Sequence, residues 1–310
     1  MKQKPSIVVL GSVNADLVLR CAHLPGPGET VHGQDFQTLP GGKGANQAVA
    51  CARLGGSVSF IGCVGGDALG QQARETLERE GISTPYLRTL AGERTGVAMI
   101  MVDERTGQNS IALAAGANAH LSVMQVEAAA PAIQRASLLV CQLESPLAAV
   151  SHAIGLARRH GVRVLLNPAP AQPLPAELLA QIDILVPNET EAAQLAGLAA
   201  DARFEPAEVA QALRAQGPGT VILTLGSEGA CVADAQGTRR LAAPRVQAMD
   251  TTGAGDTFIG AFSVALCEGR PIDEAIAFAQ RAASISVTRP GAMAAMPTRR
   301  ECDLPVPASA

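Results

Sequence analysis

Six short apolar runs, rich in β-branched residues, recur along the chain at residues 7–10, 58–64, 138–142, 162–166, 182–186 and 221–225. Longer stretches with helical periodicity separate them, and this alternation restricts the fold more than any other feature. Runs that are apolar throughout, rather than at every second position, suit strands buried on both faces. They point to a mostly parallel sheet joined by crossover helices. The spacing predicts helices over 45–54, 70–80, 123–135, 147–160, 206–215, 254–267 and 272–287. The expected fold is a doubly wound α/β sandwich. Two regions break the pattern, about 17–37 and 97–113, and read as short polar-interrupted strands, the second folded back near 104–107. They form either a small β lid over a site or an extension of the main sheet's edge.

With 310 residues, 47% of them apolar, the chain can bury a sizeable core, and one α/β domain spanning 1–310 is expected. Net charge is -4, Lys and Arg form no stripe, and aromatics are only 2%, so a nucleic-acid partner is not expected. Nowhere does an apolar run approach the roughly 18 residues of a membrane span. The run at 7–10 stops at Gly11, too short for a secretory signal. Seven cysteines are scattered without a C-x-x-C pair, which predicts reduced thiols, no structural zinc and a cytoplasmic location. The five histidines show no metal spacing.

Chemistry concentrates in the segment Asp250-Thr251-Thr252-Gly253-Ala254-Gly255-Asp256. Gly253, Ala254 and Gly255 permit a tight turn into a helix, so several free N–H groups converge and make an anion hole. Asp256 beside that hole is placed to accept a hydroxyl proton while the amides stabilise a transferring phosphoryl group. The alternative makes Asp250 or Asp256 a simple N-cap. A second glycine cluster, Gly41-Gly42-Lys43-Gly44-Ala45-Asn46-Gln47, opens another helix. It has neither the Walker A spacing nor the dinucleotide fingerprint. Its glycines admit close backbone approach, and Lys43 and Asn46 offer donors to hydroxyls. A plain turn into a helix stays open as the other reading.

Together and in this order, the two segments resemble the signature motifs of the ribokinase (PfkB) carbohydrate kinase family, and flanking similarity covers nearly the whole chain. The resemblance implies a ribokinase-like fold with a small β lid, and ATP-dependent transfer of a phosphoryl group to the 5-hydroxyl of D-ribose. By resemblance Asn14, Asp16, Gly42, Lys43, Gly44, Asn46 and Glu144 hold the sugar. Asn188, Thr224, Leu225, Gly226, Ser227, Glu228, Gly229, Gly255 and Gln280 line the ATP, and Asp256 is the base. Pro187-Asn188-Glu189-Thr190-Glu191 matches the family's N-x-x-E motif, placing Glu191 near Mg²⁺, although Asn188 and Glu191 also fit a helix cap and its partner. A monovalent cation, K⁺, is implied at Asp250 and Thr252 with carbonyls of Ser286, Arg289 and Gly291. The chain departs from the pattern at Ala295, where a serine hydroxyl is familiar. A homodimer through the lid is implied as well.

Other members of the family, acting on fructose or 2-dehydro-3-deoxygluconate, are the nearest alternative. A nucleoside pocket would favour stacking aromatics, which are scarce here. A sugar and ATP sensor without turnover is the alternative from a different class, and the intact Asp256 and Gly253 to Gly255 count against it.

Overall fold

A computed structural model describes residues 4–199 and 202–304, so the ends of the expected 1–310 span lie outside the described residues. Thirteen strands are found among them: β1 (Ser6–Leu10), β2 (Asn14–Cys21), β3 (Gly33–Gly41), β4 (Ser57–Gly65), β5 (Ser83–Leu90), β6 (Gly96–Asp103), β7 (Asn109–Ala114), β8 (Leu138–Cys141), β9 (Arg163–Leu166), β10 (Ile184–Leu185), β11 (Thr220–Thr224), β12 (Ala230–Asp234) and β13 (Gly237–Leu241). Nine build one sheet in the order β13-β12-β11-β10-β9-β8-β1-β4-β5. Its seven strands from β11 to β5 are parallel, and β12 and β13 extend it antiparallel. This is the mostly parallel, helix-flanked α/β fold expected from the apolar runs.

Successive strand residues feed two separate cores. Ile7, Val9, Phe60, Leu138, Val140 and Leu165 face one side, where Ile259 and Phe262 of the helix Ala254–Cys267 pack against them. Val8, Leu10, Ile61, Leu139, Cys141 and Leu166 face the other, against Ile154 of the helix Leu147–Arg159 and Leu213 of the helix Pro206–Ala215. Burial on both faces is the physical reason these strands carry few polar positions, most of them near the strand starts.

The four remaining strands make a separate sheet in the order β3-β2-β6-β7. β2 and β6 run parallel, with β3 and β7 antiparallel at the edges. Both sheets meet at the site, because β2 begins four residues after β1 ends and β3 runs directly into the helix Lys43–Arg53.

Several local expectations need correction. The single helix expected over 123–135 is two, Val123–Ala128 and Ala130–Arg135. Pro131 has no N–H to give the carbonyl four residues back, and its ring crowds that turn. The strand expected over 182–186 shortens to Ile184–Leu185. β5, β12 and β13 lie where no strand was expected; β5 is a polar, half-exposed edge strand. All seven cysteines are unpaired thiols, six of them buried. No helix among the described residues is long and apolar enough to cross a membrane.

Candidate active site

The loops after β1 and β8 and the start of the helix Lys43–Arg53 converge at the carboxyl ends of the parallel strands, where open α/β sheets bind ligands. A Cβ on Gly44 would lie 2.6 Å from the Ser12 nitrogen, so only glycine lets this helix start rest on the loop after β1. There Ser12 Oγ donates to Glu144 Oε2 at 2.5 Å, and the Lys43 N–H reaches the same oxygen at 3.3 Å. Asn14 is held from behind. Asn118 Oδ1 accepts from the Val13 N–H at 2.9 Å, and its Nδ2 donates to the Val13 carbonyl and to Asn14 Oδ1. Asn14 therefore keeps its Nδ2 free as a donor.

Charge is dense here. Burial pushes the Asp16 carboxyl up to about 6, helped by the Glu144 and Asp256 carboxylates and opposed by Lys43. Burial works against the Lys43 ammonium, but Asp256, Glu144, Glu191 and Asp16 surround it and hold its pKa above the ordinary lysine value. One buried cation thus balances four acids.

The helix Ala254–Cys267 starts at Gly253, whose φ of 73° lies in the left-handed region that favours glycine, and no side chain caps it. Neither Asp250 nor Asp256 is its N-cap. Asp256 is the third residue of the helix, and its carboxylate accepts from Asn46 Nδ2 at 3.0 Å and Gln47 Nε2 at 2.9 Å. Burial raises its pKa against the pull of Lys43 and these two amides. The Ala254 N–H is already bonded to the Thr251 carbonyl at 3.2 Å, whereas no acceptor is found among the described residues for the N–H groups of Gly253, Gly255 and Asp256. A Cβ on Gly255 would meet nothing within 4 Å, so the helix start opens directly onto space.

That space is a cleft of about 580 Å³, counting its open mouth, lined by Lys43, Asn188, Glu191, Thr224, Gly255 and Asp256 among others. Asn188 and Glu191 form a reciprocal capping box at the helix Glu189–Leu195, with Asn188 N–H on Glu191 Oε2 at 2.9 Å and Glu191 N–H on Asn188 Oδ1 at 2.8 Å. The cap reading therefore holds, and the same pair also faces the cleft. A bridge between Asn188 and Thr224 ties that cap to the end of β11. Leu225 is buried behind it, and Gly226, Ser227 and Glu228 form an exposed turn ending at Gly229. Gln280 does not line the cleft but donates Nε2 to the Leu241 carbonyl at 2.8 Å, the carbonyl that lies against Gly229.

Asp250 stitches two loops together. Its Oδ1 accepts from the Thr252 N–H and hydroxyl, and its Oδ2 from the Gly291 N–H at 2.8 Å. Burial opposes the Asp250 charge, but these bonds hold its carboxyl below the ordinary range. The Ser286 carbonyl accepts from the Arg289 N–H, and Ala295 is buried in the short turn Met293–Ala295.

Sequence reasoning assigned no role to Ser12, which bonds Glu144, to Gln47, which bonds Asp256, to Asn167 behind Gln47, or to Asn118, which holds Asn14. A signal existed for Asn167, a polar residue directly after the apolar end of β9. Asn118 carried none, because its partners are 104 and 105 residues away.

A carboxylate at a helix start, with free amides beside it, a cluster of acids and amides on one side and a cleft on the other, can deprotonate a hydroxyl and stabilise an incoming phosphoryl group. The fold and site define an ATP-dependent carbohydrate kinase. The chain belongs to the pfkB family of carbohydrate kinases, whose sequence profile matches residues 4–299. It is 47% identical over 298 residues to a ribokinase of Haemophilus influenzae, covering 96% of this chain and 97% of that one. It is 37% identical to a deoxyribokinase of Salmonella typhi, covering 94% and 95%. The structure of Arabidopsis thaliana ribokinase complexed with ribose and ATP superposes with a TM-score of 0.87, at 36% identity over 97% of this chain and 98% of that one.

Proposed function

We propose that this chain transfers the γ-phosphoryl group of ATP to the 5-hydroxyl of D-ribose, giving ribose 5-phosphate and ADP. The observation that carries the reading is the position of Asp256, bonded to Asn46 of the sugar-side helix and lining the nucleotide-side cleft. Asp256 takes the 5-hydroxyl proton as that oxygen attacks, and the Gly253, Gly255 and Asp256 amides meet the charge on the phosphoryl oxygens. Asn14, Asp16, Lys43, Asn46 and Glu144 bind the remaining hydroxyls, with Gly42 and Gly44 giving the sugar room at the backbone. Asn46 Oδ1 is buried without a partner and fits a sugar hydroxyl. Asn188, Thr224 and the turn 225–229 line the nucleotide, with Gln280 bracing the strand end beside it.

Among the described residues no group of three or more His, Cys, Asp or Glu gathers to hold a metal. Mg²⁺ would arrive with ATP, and Glu191, which lines the cleft, would hold it through water while the ion neutralised phosphate charge. K⁺ belongs to the proposal as a loop-fixing ion at Asp250 and Thr252 with the carbonyls of Ser286, Arg289 and Gly291. The small sheet acts as a lid. Its apolar residues Phe36, Met99, Ile111 and Leu113 are exposed, and all six residues of β7 are open, so a second copy offering the same apolar surface is the matching cover.

The test is an ADP-release assay across ribose, deoxyribose, fructose, adenosine and 2-dehydro-3-deoxygluconate, run in K⁺ and in a bulky organic cation at matched ionic strength. Ribose is expected to give the highest kcat/KM, because a site built to pair hydroxyls rejects analogues lacking one. A preference for deoxyribose would move the assignment to the second class of relative. Equal rates in both salts would remove the cation from the proposal.

A further inference from the structure

Amide oxygens and nitrogens are alike to the eye, and their orientation must be argued from partners of known character. Behind Asp256 one backbone group supplies that argument. The Val186 carbonyl can only accept, so the Asn167 atom 2.9 Å from it is Nδ2. Asn167 Oδ1 is then the atom facing Gln47, at 3.1 Å. An oxygen there can only accept, so Gln47 must present its nitrogen. That Nε2 has two hydrogens and two acceptors, Asn167 Oδ1 and Asp256 Oδ1, the latter at 2.9 Å. The outward Gln47 Oε1 accepts from Gln142 Nε2 at 2.6 Å. A single carbonyl thus sets the direction of the whole chain of bonds.

We propose that Asn167 and Gln47 are positioning residues, an amide relay anchored on the Val186 carbonyl that fixes the Asp256 carboxylate and presents it proton-free to the substrate hydroxyl. The proposal rests on the reading of Asp256 as the base. With Gln47 on Oδ1 and Asn46 on Oδ2, each carboxylate oxygen already accepts one bond and keeps lone-pair capacity for an incoming hydroxyl. The ionisable groups facing Asp256 are Lys43, which favours its charge, and Glu144, Asp16 and Glu191, which oppose it. The helix start also favours its charge, and the amide donors add directed bonds that hold it ionised. Gln47 is fully buried, so water cannot replace it.

Packing alone also predicts buried, mutually bonded amides, and Gln47→Glu separates the two. Glutamate keeps the shape and can still accept from Gln142, but it turns an oxygen toward Asp256, so the two carboxyls must share a proton. The direct readout is the carboxyl ¹³C titration of Asp256 in the intact chain without substrates. The relay predicts a midpoint raised by about one pH unit in Gln47→Leu and by more than about two in Gln47→Glu. It also predicts that kcat near neutral pH falls about 10- to 100-fold, with ribose KM within about threefold, and that Gln47→Glu regains rate as pH rises. An Asp256 midpoint unmoved in folded Gln47→Glu overturns the relay, as does a loss confined to ribose KM. Should Gln47→Leu fail to fold, the glutamate variant alone decides. If the wild type phosphorylates no sugar, the proposed function fails, while the titration still judges the relay.

Discussion

The two sheets of this molecule differ in how they are covered. The nine-stranded sheet is closed on both faces by its own helices, and its central strands are almost entirely buried. The four-stranded sheet has no such cover: β7 is exposed at every position and β3 at its first six. Phe36 and Met99 lie on one of its faces, and Ile111 and Leu113 share the other with Asp16, as the strand register dictates. A sheet in this state gains by meeting something else, and the sugar and the second copy proposed above would each meet that need. The large sheet supplies a frame for the site, and the small one leaves a surface open for the proposed lid and dimer roles.

The sharpest way to test that division is to change the frame side alone. Asp256→Asn is expected to lower kcat by about 10² to 10⁴ while ribose affinity changes little, because an amide cannot take the proton. The amide also turns a donor toward Asn46 or Gln47, and Asn46 can answer it with its unpartnered Oδ1. Steady-state kinetics with ribose titration checks this, and near-normal turnover would return Asp256 to a structural role.

Changing the open side should have a different signature. Ile111→Asp combined with Leu113→Asp places two charges on the exposed apolar strand and is expected to halve the mass seen by sedimentation. Melting temperature should change little, since surface substitutions typically shift stability by only about 0.5 kcal/mol. A dimer that survives both charges would mean that another surface joins the copies.

The smallest effect tests the seam between the sheets. Asp16 has its carboxyl raised to about 6 from an ordinary 3.8, so between those values the folded chain binds the proton more tightly and stability falls as pH rises. Asp16→Asn removes the buried charge. It should raise the melting temperature of the substrate-free protein by about 2–4 °C at pH 8, and by almost nothing near pH 4, while weakening ribose binding. No pH dependence in the difference would show that solvent already relieves Asp16.

Much of the frame was legible in the sequence, because the central strands lie in runs that are mostly apolar and rich in β-branched residues. The edges were not. β5 carries Pro85, Arg88 and two threonines, and half-exposed edge strands have no need of a continuous apolar pattern. The break inside 123–135 was visible in principle at Pro131, whose missing N–H ends a helix from within. Asp256 and the glycines before it stood out in the local motif Asp250 to Asp256, whereas the sugar and ATP contacts came from the family resemblance. Ser12, Gln47, Asn118 and Asn167 were passed over because their roles depend on partners far away along the chain.

Local sequence by itself determined where the central strands and most of the helices fall, which turns carry glycine, and which carboxylates and amides stand at strand and helix ends. Those properties depend on residues within one or two turns of each other. Only the tertiary structure decided which of these ends meet. Asp256 reaches Asn46 and Gln47 across 210 and 209 residues, and Ser12 reaches Glu144 across 132. It also decided the direction of each amide, because a side chain that can both donate and accept has no polarity until a fixed acceptor such as the Val186 carbonyl imposes one.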